Sequence, residues 1–261
     1  MLLNAVIIIL REVIEASLII SIFMAFCQKY TISRRWMYLA LPIGLSLATL
    51  YAINIATVSQ WLDGVGQEVI NASIHLMVYL VLLVFLTLAM TRQHKDVIIA
   101  VMLVGVTFAS IREGSEIILY IHGFAAIPEL LQPVLLGSAI GTGIGLSVGV
   151  LFYYLLLSLS LKNGTKLGIF LSLSVAGGMV LQATQLLTQA DWIVSQYPLW
   201  DTSMWISERS VIGQLLYALV GYEATPTPIQ VVSYVSALSL IIIVIALSHW
   251  YTSRSYHETH R

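Results

Sequence analysis

Apolar residues run along this chain in long stretches separated by short polar breaks. The stretches lie near 2–27, 36–59, 67–91, 96–122, 133–161, 167–190 and 229–251. Each is close to the ~20 residues that a helix needs to cross hydrocarbon. Lipid offers no partner to backbone N–H and C=O groups, so such runs form helices. None keeps the polar/apolar alternation of a membrane barrel strand. The pattern predicts an all-α polytopic membrane protein of about seven transmembrane helices.

The polar breaks give the orientation. Lys29, Arg34 and Arg35 follow the first run, Arg92 and Lys95 the third, Lys162 and Lys166 the fifth, and Arg254 and Arg261 the seventh. The opposite connectors hold only Arg209. Cytoplasmic loops are the Lys/Arg-rich ones, so the amino terminus is expected outside and the carboxyl terminus inside the cytoplasmic (inner) membrane. The first run is too long for a signal peptide's apolar region and lacks a basic start and a small-residue cleavage site, so it reads as a retained helix.

The long segment 191–228 would lie outside and carry an amphipathic helix. Ser207 is the expected cap, with Ile206 and Val211 as a staple. Val211, Ile212, Leu215, Leu216, Leu219 and Val220 fall on one face, and Gly221 ends the helix. Trp192, Trp200 and Trp205 suit an interfacial aromatic belt. Gly137, Gly141, Gly145 and Gly149 recur every four residues in the fifth run. They make a ridge for close helix packing within the chain, with a contact between copies of the chain as the alternative.

Arg11-Glu12-Val13-Ile14-Glu15 in the first run echoes Arg112-Glu113-Gly114-Ser115-Glu116 in the fourth. Three runs separate the copies, so they cross in opposite directions. The expected architecture is a 3+3 inverted repeat plus a seventh helix, with the site at the repeat interface near mid-bilayer. The single permease domain, 1–261, would divide into repeat one (1–91), repeat two (96–190), the outer segment (191–228) and the seventh helix (229–251).

Composition narrows the function. The 261 residues are 59% hydrophobic and 10% charged, against about 25% charged in soluble domains. A net charge of −1 leaves no basic footprint for nucleic acid. The single cysteine, Cys27, excludes an internal disulfide and a Cys-rich metal site. No phosphate loop is present, so no ATP hydrolysis is expected. Neither enzymatic activity nor a bound organic cofactor is expected.

The chemistry therefore rests on the intramembrane charges. Glu12 and Glu15 share a helix face, as do Glu113 and Glu116. Glu12 lies ~15 Å into its helix, near the middle of a ~30 Å core. Six uncompensated charges there would cost on the order of 15–20 kcal/mol, so they must face one another, water or a cation. Arg11 and Arg112 stay protonated and offset two of the four carboxylates. The remaining formal charge of −2 suits a hard cation, since oxygen ligands favour hard ions. Fe³⁺, Mn²⁺, Ca²⁺ and Mg²⁺ all fit that description. The competing reading, a pair of structural ion pairs, leaves the second glutamate of each motif without a partner.

Glu68, Asn71 and His75 share a face in the third run, and Gln182, Gln185 and Gln189 in the sixth. With Asp63 and Asp191 they could line a polar entrance. His75 is either a ligand or an interhelical hydrogen bonder, and the glutamines read as interhelical glue. His257 and His260 belong to a solvated tail.

At these residues the chain resembles the oxidase-dependent iron permease family, which includes fungal high-affinity iron permeases and bacterial EfeU-type permeases. The family carries Arg-Glu-Gly-x-Glu in its first and fourth transmembrane helices. The second copy matches fully; the first has Val13 where the pattern has Gly. Asp63-Gly64-Val65-Gly66-Gln67-Glu68 is similar to the family's approach to helix three, with Asn71 replacing a frequent second acid. Trp200-Asp201-Thr202-Ser203 and Gly221-Tyr222 before Pro226 resemble its late outer segment.

The resemblance implies a permease for Fe³⁺ delivered by an outer-side ferroxidase or periplasmic iron-delivery protein. Asp63, Glu68 and His75 would receive the ion, Glu12, Glu15, Glu113 and Glu116 would coordinate it, and Arg11 and Arg112 would balance charge. A permease for another cation such as Mn²⁺ or Pb²⁺ is the first alternative. A non-transporting membrane subunit of a periplasmic redox complex is the second.

Overall fold

The computed structural model describes residues 1–91, 95–208 and 210–258. Arg92, Arg209, His260 and Arg261 lie outside the described residues, as do the side chains of Arg254 and His257. All regular structure among the described residues is helical. The helices are α1 (Leu2–Lys29), α2 (Met37–Ile53), α3 (Ile55–Ser59), α4 (Gly66–Thr91), α5 (Lys95–Gly123), α6 (Pro128–Ser158), α7 (Leu161–Gln189), α8 (Val211–Val220) and α9 (Pro228–Glu258), with a 3₁₀ turn at Leu62–Gly64. Helices α4, α5, α6, α7 and α9 are long and apolar enough to cross a membrane. Helix α1 is 28 residues long but carries the first motif's three charges at its middle, and α2 has 17 residues. The chain is a polytopic all-α membrane protein.

Local chemistry sets the boundaries. The expected second span is broken at Asn54, whose φ of −93° and ψ of 7° separate α2 from α3. Helix α6 begins at Pro128, five residues before the expected span, because proline is pre-set for a first helical turn that needs no N–H. Ser160 caps α7 by accepting from the Asn163 N–H. Helix α8 is capped by Ser210, which accepts from Gly213 N at 3.0 Å. The expected cap, Ser207, instead offers its carbonyl to Ser210. Gly221 ends α8 at φ 67°, the left-handed conformation that glycine adopts without a Cβ penalty.

The most extensive helix contacts are α1 with α6, α2 with α5, and α4 with α7. The α6 glycine ridge is filled by α1: a Cβ on Gly141 would fall 2.7 Å from the Val6 carbonyl oxygen, and one on Gly149 2.6 Å from Ser17 Cβ. The ridge is an internal contact. The two helices run parallel, since Gly137 meets Leu2 and Ala5, Gly145 meets Leu10 and Val13, and Gly149 meets Ser17. Helix α2 does the same to α5. Its buried residues, Ala40, Gly44, Ala48 and Ala52, also recur every four positions. Gly44 packs on Ser110 and Ala48 on Gly114. Each motif helix is thus backed by a parallel helix with a small-residue ridge, where backbones approach closely enough for dispersion contacts that lipid would not replace.

This pairing explains Val13. It packs against Gly145, where a Cβ would come within 2.8 Å of it. In the other copy Gly114 packs against Ala48, at 3.1 Å from a hypothetical Cβ. The large residue sits on the motif helix in one copy and the extra methyl on the ridge in the other.

The bundle has two unlike halves. From Leu18 to Cys27 on α1 an apolar core gathers Phe23, Leu82, Phe85, Met102, Val106 and Val175, with the Phe23 and Phe85 rings 4.5 Å apart. The other half, beyond the motifs, holds a polar cavity beside a small apolar cluster of Leu10, Ile14 and Ala218, and leads to segment 191–227.

Candidate functional site

The two motifs meet face to face. Arg112 Nη1 lies 3.0 Å from Glu12 Oε2, 2.8 Å from Glu113 Oε2 and 3.0 Å from Glu116 Oε2. Its Nε donates to His75 Nε2 at 2.8 Å. Arg11 Nε donates to the other Glu12 oxygen at 3.0 Å, and Arg11 also lies within 4 Å of Glu15 and Glu116. Gln182 Nε2 donates to Glu15 Oε2 at 3.1 Å. Four carboxylates from two helices therefore surround two guanidinium groups. The attraction of close opposite charges in this poorly solvated setting offsets the penalty of burying them.

These contacts constrain His75. Its Nε2 lone pair is used by Arg112, so the neutral ring carries its proton on Nδ1. That Nδ1 is buried without a hydrogen-bond partner. The imidazole can offer a lone pair to a metal only after Arg112 moves away.

A cavity of about 290 Å³ opens onto this cluster. Its floor is Arg11, His75, Arg112, Glu116 and Gln182; its walls include Gln185, Gln189 and Tyr217, and Glu208, Gln214 and Glu223 complete it. Glu12, Glu15 and Glu113 are buried behind the floor. Helix α8 covers the cavity, with the Tyr217 ring 5.3 Å from the Arg11 guanidinium carbon, a cation–π contact. It does so with Gly213 and Ala218 buried and Leu215 and Leu219 packed against the core, while Val211 and Ile212 stay exposed, so the expected apolar stripe meets the bundle only in part. Gly221 lets the following loop sit on α7: its Cα is 3.5 Å from a hypothetical Cβ on Gly178. The loop is further tied by Leu199 N to Pro226 O and Thr202 N to Ala224 O, at 2.8 and 2.9 Å.

The other predicted residues divide. Gln182, Gln185 and Gln189 all line the cavity. Asn71 is buried but accepts from the Tyr51 hydroxyl at 3.0 Å and stays apart from it. Glu68 is half-buried in the first turn of α4 and does not line the cavity. Asp63 is exposed in the 3₁₀ turn at φ 63°, and Asp191 is exposed after α7 at φ 56°. Trp192 and Trp205 are exposed on the late segment. Sequence reasoning missed Glu208, Gln214, Tyr217 and Glu223. Burial and the neighbouring Glu208 carboxylate push the Glu223 carboxyl up to about 6. Among the described residues no group of three or more His, Cys, Asp or Glu stands ready to hold a metal ion, because arginines occupy the carboxylates.

Apolar helices with charged residues at their middle and a polar cavity leading to them are features that a transporter of charged solutes requires. The chain matches the iron permease FTR1 family over residues 2–257 and belongs to that family. No curated protein and no solved structure matches it. It is a multi-pass membrane protein of a permease family, a class of transporters rather than enzymes, with iron as the transported substrate.

Proposed function

We propose that this protein carries Fe³⁺ inward across the cytoplasmic membrane, taking it from an oxidase or delivery protein on the outer side. The observation that carries this reading is the meeting of both Arg-Glu-x-x-Glu motifs at the floor of one polar cavity. Seven crossing helices, with α1–α4 and α5–α7 as inverted repeats and the amino terminus outside, are part of the proposal. Exchange of the halves supports it, since α1 on α6 becomes α5 on α2, each a motif helix on a parallel small-residue ridge.

In this reading the cavity faces outward and the apolar core around Phe23 and Phe85 closes the inner path. A cation reaches Glu116 first. It then takes carboxylate oxygens from Arg112 and Arg11, which must move aside because their own charges would then be left buried and unpaired. The arginines keep the empty site neutral enough to stay folded, and their competition limits how tightly the ion is held. Glu12, Glu15, Glu113 and Glu116 are the proposed ligands, with His75 available once Arg112 withdraws. Asp63 and Glu68 act at a distance, by attracting cations. The expected result is loss of iron uptake into proteoliposomes for Glu113→Ala with insertion preserved; wild-type rates would refute the reading. Competition by Mn²⁺ and Pb²⁺ in that assay decides the ion.

The mutual pairing of all six charges favours one other reading, a non-transporting membrane subunit held together by these ion pairs. It expects no metal in the purified protein and no uptake by the wild type.

A further inference from the structure

Two carboxylates of the cavity are not used by the motifs. Glu208 and Glu223 both line it, from a segment far from α1 and α5 in sequence. Their places are held by specific bonds. Ala224 N donates to Glu208 Oε1 at 2.6 Å, and Gln214 Nε2 donates to the Glu208 carbonyl at 2.6 Å. Gln185 Nε2 lies 3.5 Å from Glu223 Oε1. One turn further along α7, Gln182 is only 4% exposed, yet its Oε1 has no hydrogen-bond partner. Its Nε2 must face the Glu15 carboxylate, so the unpartnered atom is fixed as the carbonyl oxygen. A buried acceptor without a protein donor, on the floor of a polar cavity, is placed to accept from water or to bind a cation.

Charge decides between an anion and a cation. The cavity lining holds Glu116, Glu208 and Glu223 against Arg11 and Arg112, and Glu12, Glu15 and Glu113 stand directly behind. The field is negative, although the guanidinium groups bar a bare ion from the floor. A volume of about 290 Å³ is many times the ~10–15 Å³ needed to seat one water, enough for a cation with most of its hydration shell.

We propose that the cavity is a cation-loading site separate from the motif cluster, in which a hydrated hard cation is held by Glu208 and Glu223 on one side and Gln182 Oε1 on the other. The proposal deepens the permease reading and rests on it. The loaded ion keeps its waters against Gln185 and Gln189 until the arginines yield. The Gln185–Gln182 ladder then leads from Glu223 to Glu15 on one face of α7.

Terbium(III) serves as a hard-cation probe on the full chain in detergent, with its luminescence lifetime in light and heavy water counting retained waters. The wild type should bind it with several waters retained. Glu208→Gln with Glu223→Gln should weaken that binding on the order of tenfold, the size of effect that local charge has on cation concentration, and Glu223→Asp should preserve it. Glu129→Gln, exposed in the first turn of α6 and away from the cavity, should leave it in place. The double variant should also raise the iron concentration for half-maximal uptake by a similar factor. Terbium affinity unchanged in both the double variant and the single Glu223→Gln overturns the proposal, as does a bound ion stripped of water. Uptake that needs Glu113 but ignores Glu208 and Glu223 sinks the loading site and leaves the permease. Terbium bound through Glu208 and Glu223 with no iron uptake by the wild type does the reverse.

Discussion

The two copies of Arg-Glu-x-x-Glu are placed oppositely. In the first, the arginine faces the cavity, with Arg11 27% exposed, and the last glutamate is sealed, with Glu15 2% exposed. In the second, Arg112 is 8% exposed and Glu116 29%. The neighbours cause the difference. Helix α8 places Tyr217 over Arg11, whereas α4 places His75 against Arg112. Identical motifs therefore sit in one cluster but have unequal access to one side. A carrier that opens to one side at a time needs such an inequality.

Removing the arginines gives the largest expected effect on this comparison. Arg112→Ala leaves Glu12 and Glu113 buried beside an emptied position. Breaking a buried pair by deleting one partner costs about 3–5 kcal/mol. Arg11→Ala removes a group 27% exposed on the cavity floor; Glu12 keeps Arg112 and Glu15 keeps Gln182, so the loss is that of a buried polar group left partly unsatisfied, about 1–3 kcal/mol. Thermal unfolding in detergent should therefore show the larger loss of stability for Arg112→Ala and the smaller one for Arg11→Ala. Equal losses would break the proposed difference between the copies.

The inequality was not legible in the sequence, and the reason is physical. Helical spacing places Glu12 and Glu15 on one face, and hydropathy places that face mid-span. Neither says which distant side chain meets it. The helices and the glutamine row of α7 follow from such local periodicity, and the convergence of the motifs from the cost of leaving their charges apart in hydrocarbon. Tyr51 as the partner of Asn71, and Glu208 and Glu223 in the cavity, depend on contacts between segments far apart in sequence. Ser210 rather than Ser207 as the cap reflects where the loop 199–208 leaves the chain after pairing with 224–226. One signal was present and unread: Ala40, Gly44, Ala48 and Ala52 carry the same four-residue spacing as the glycines of α6. Alanine obscures a ridge that glycine makes plain.

Access can be read directly. In a Cys27→Ser background, Glu116→Cys should react with a charged, membrane-impermeant methanethiosulfonate from the cavity side. Glu15→Cys should react about a hundredfold more slowly, since thiol reactivity follows exposure and ionisation. The same rate at both positions would show that the copies open to the cavity equally.

The smallest effect concerns the third motif position, and it tests whether the difference between the copies is built into the packing. Val13 meets Gly145, while Gly114 meets Ala48. Gly114→Val makes the second copy like the first on the motif helix alone. Its methyls would press on Ala48, already 3.1 Å from a hypothetical Cβ, and on Leu45 at 3.5 Å. Overpacking of this kind costs about 1–3 kcal/mol, lessened by the better helix propensity of valine than glycine. Adding Ala48→Gly supplies the partner that Val13 has in Gly145 and should recover most of the loss. The coupling between the two substitutions, measured as a double-mutant cycle on thermal stability, should be favourable by about 1 kcal/mol. Purely additive losses would mean that α2 does not back α5 as α6 backs α1.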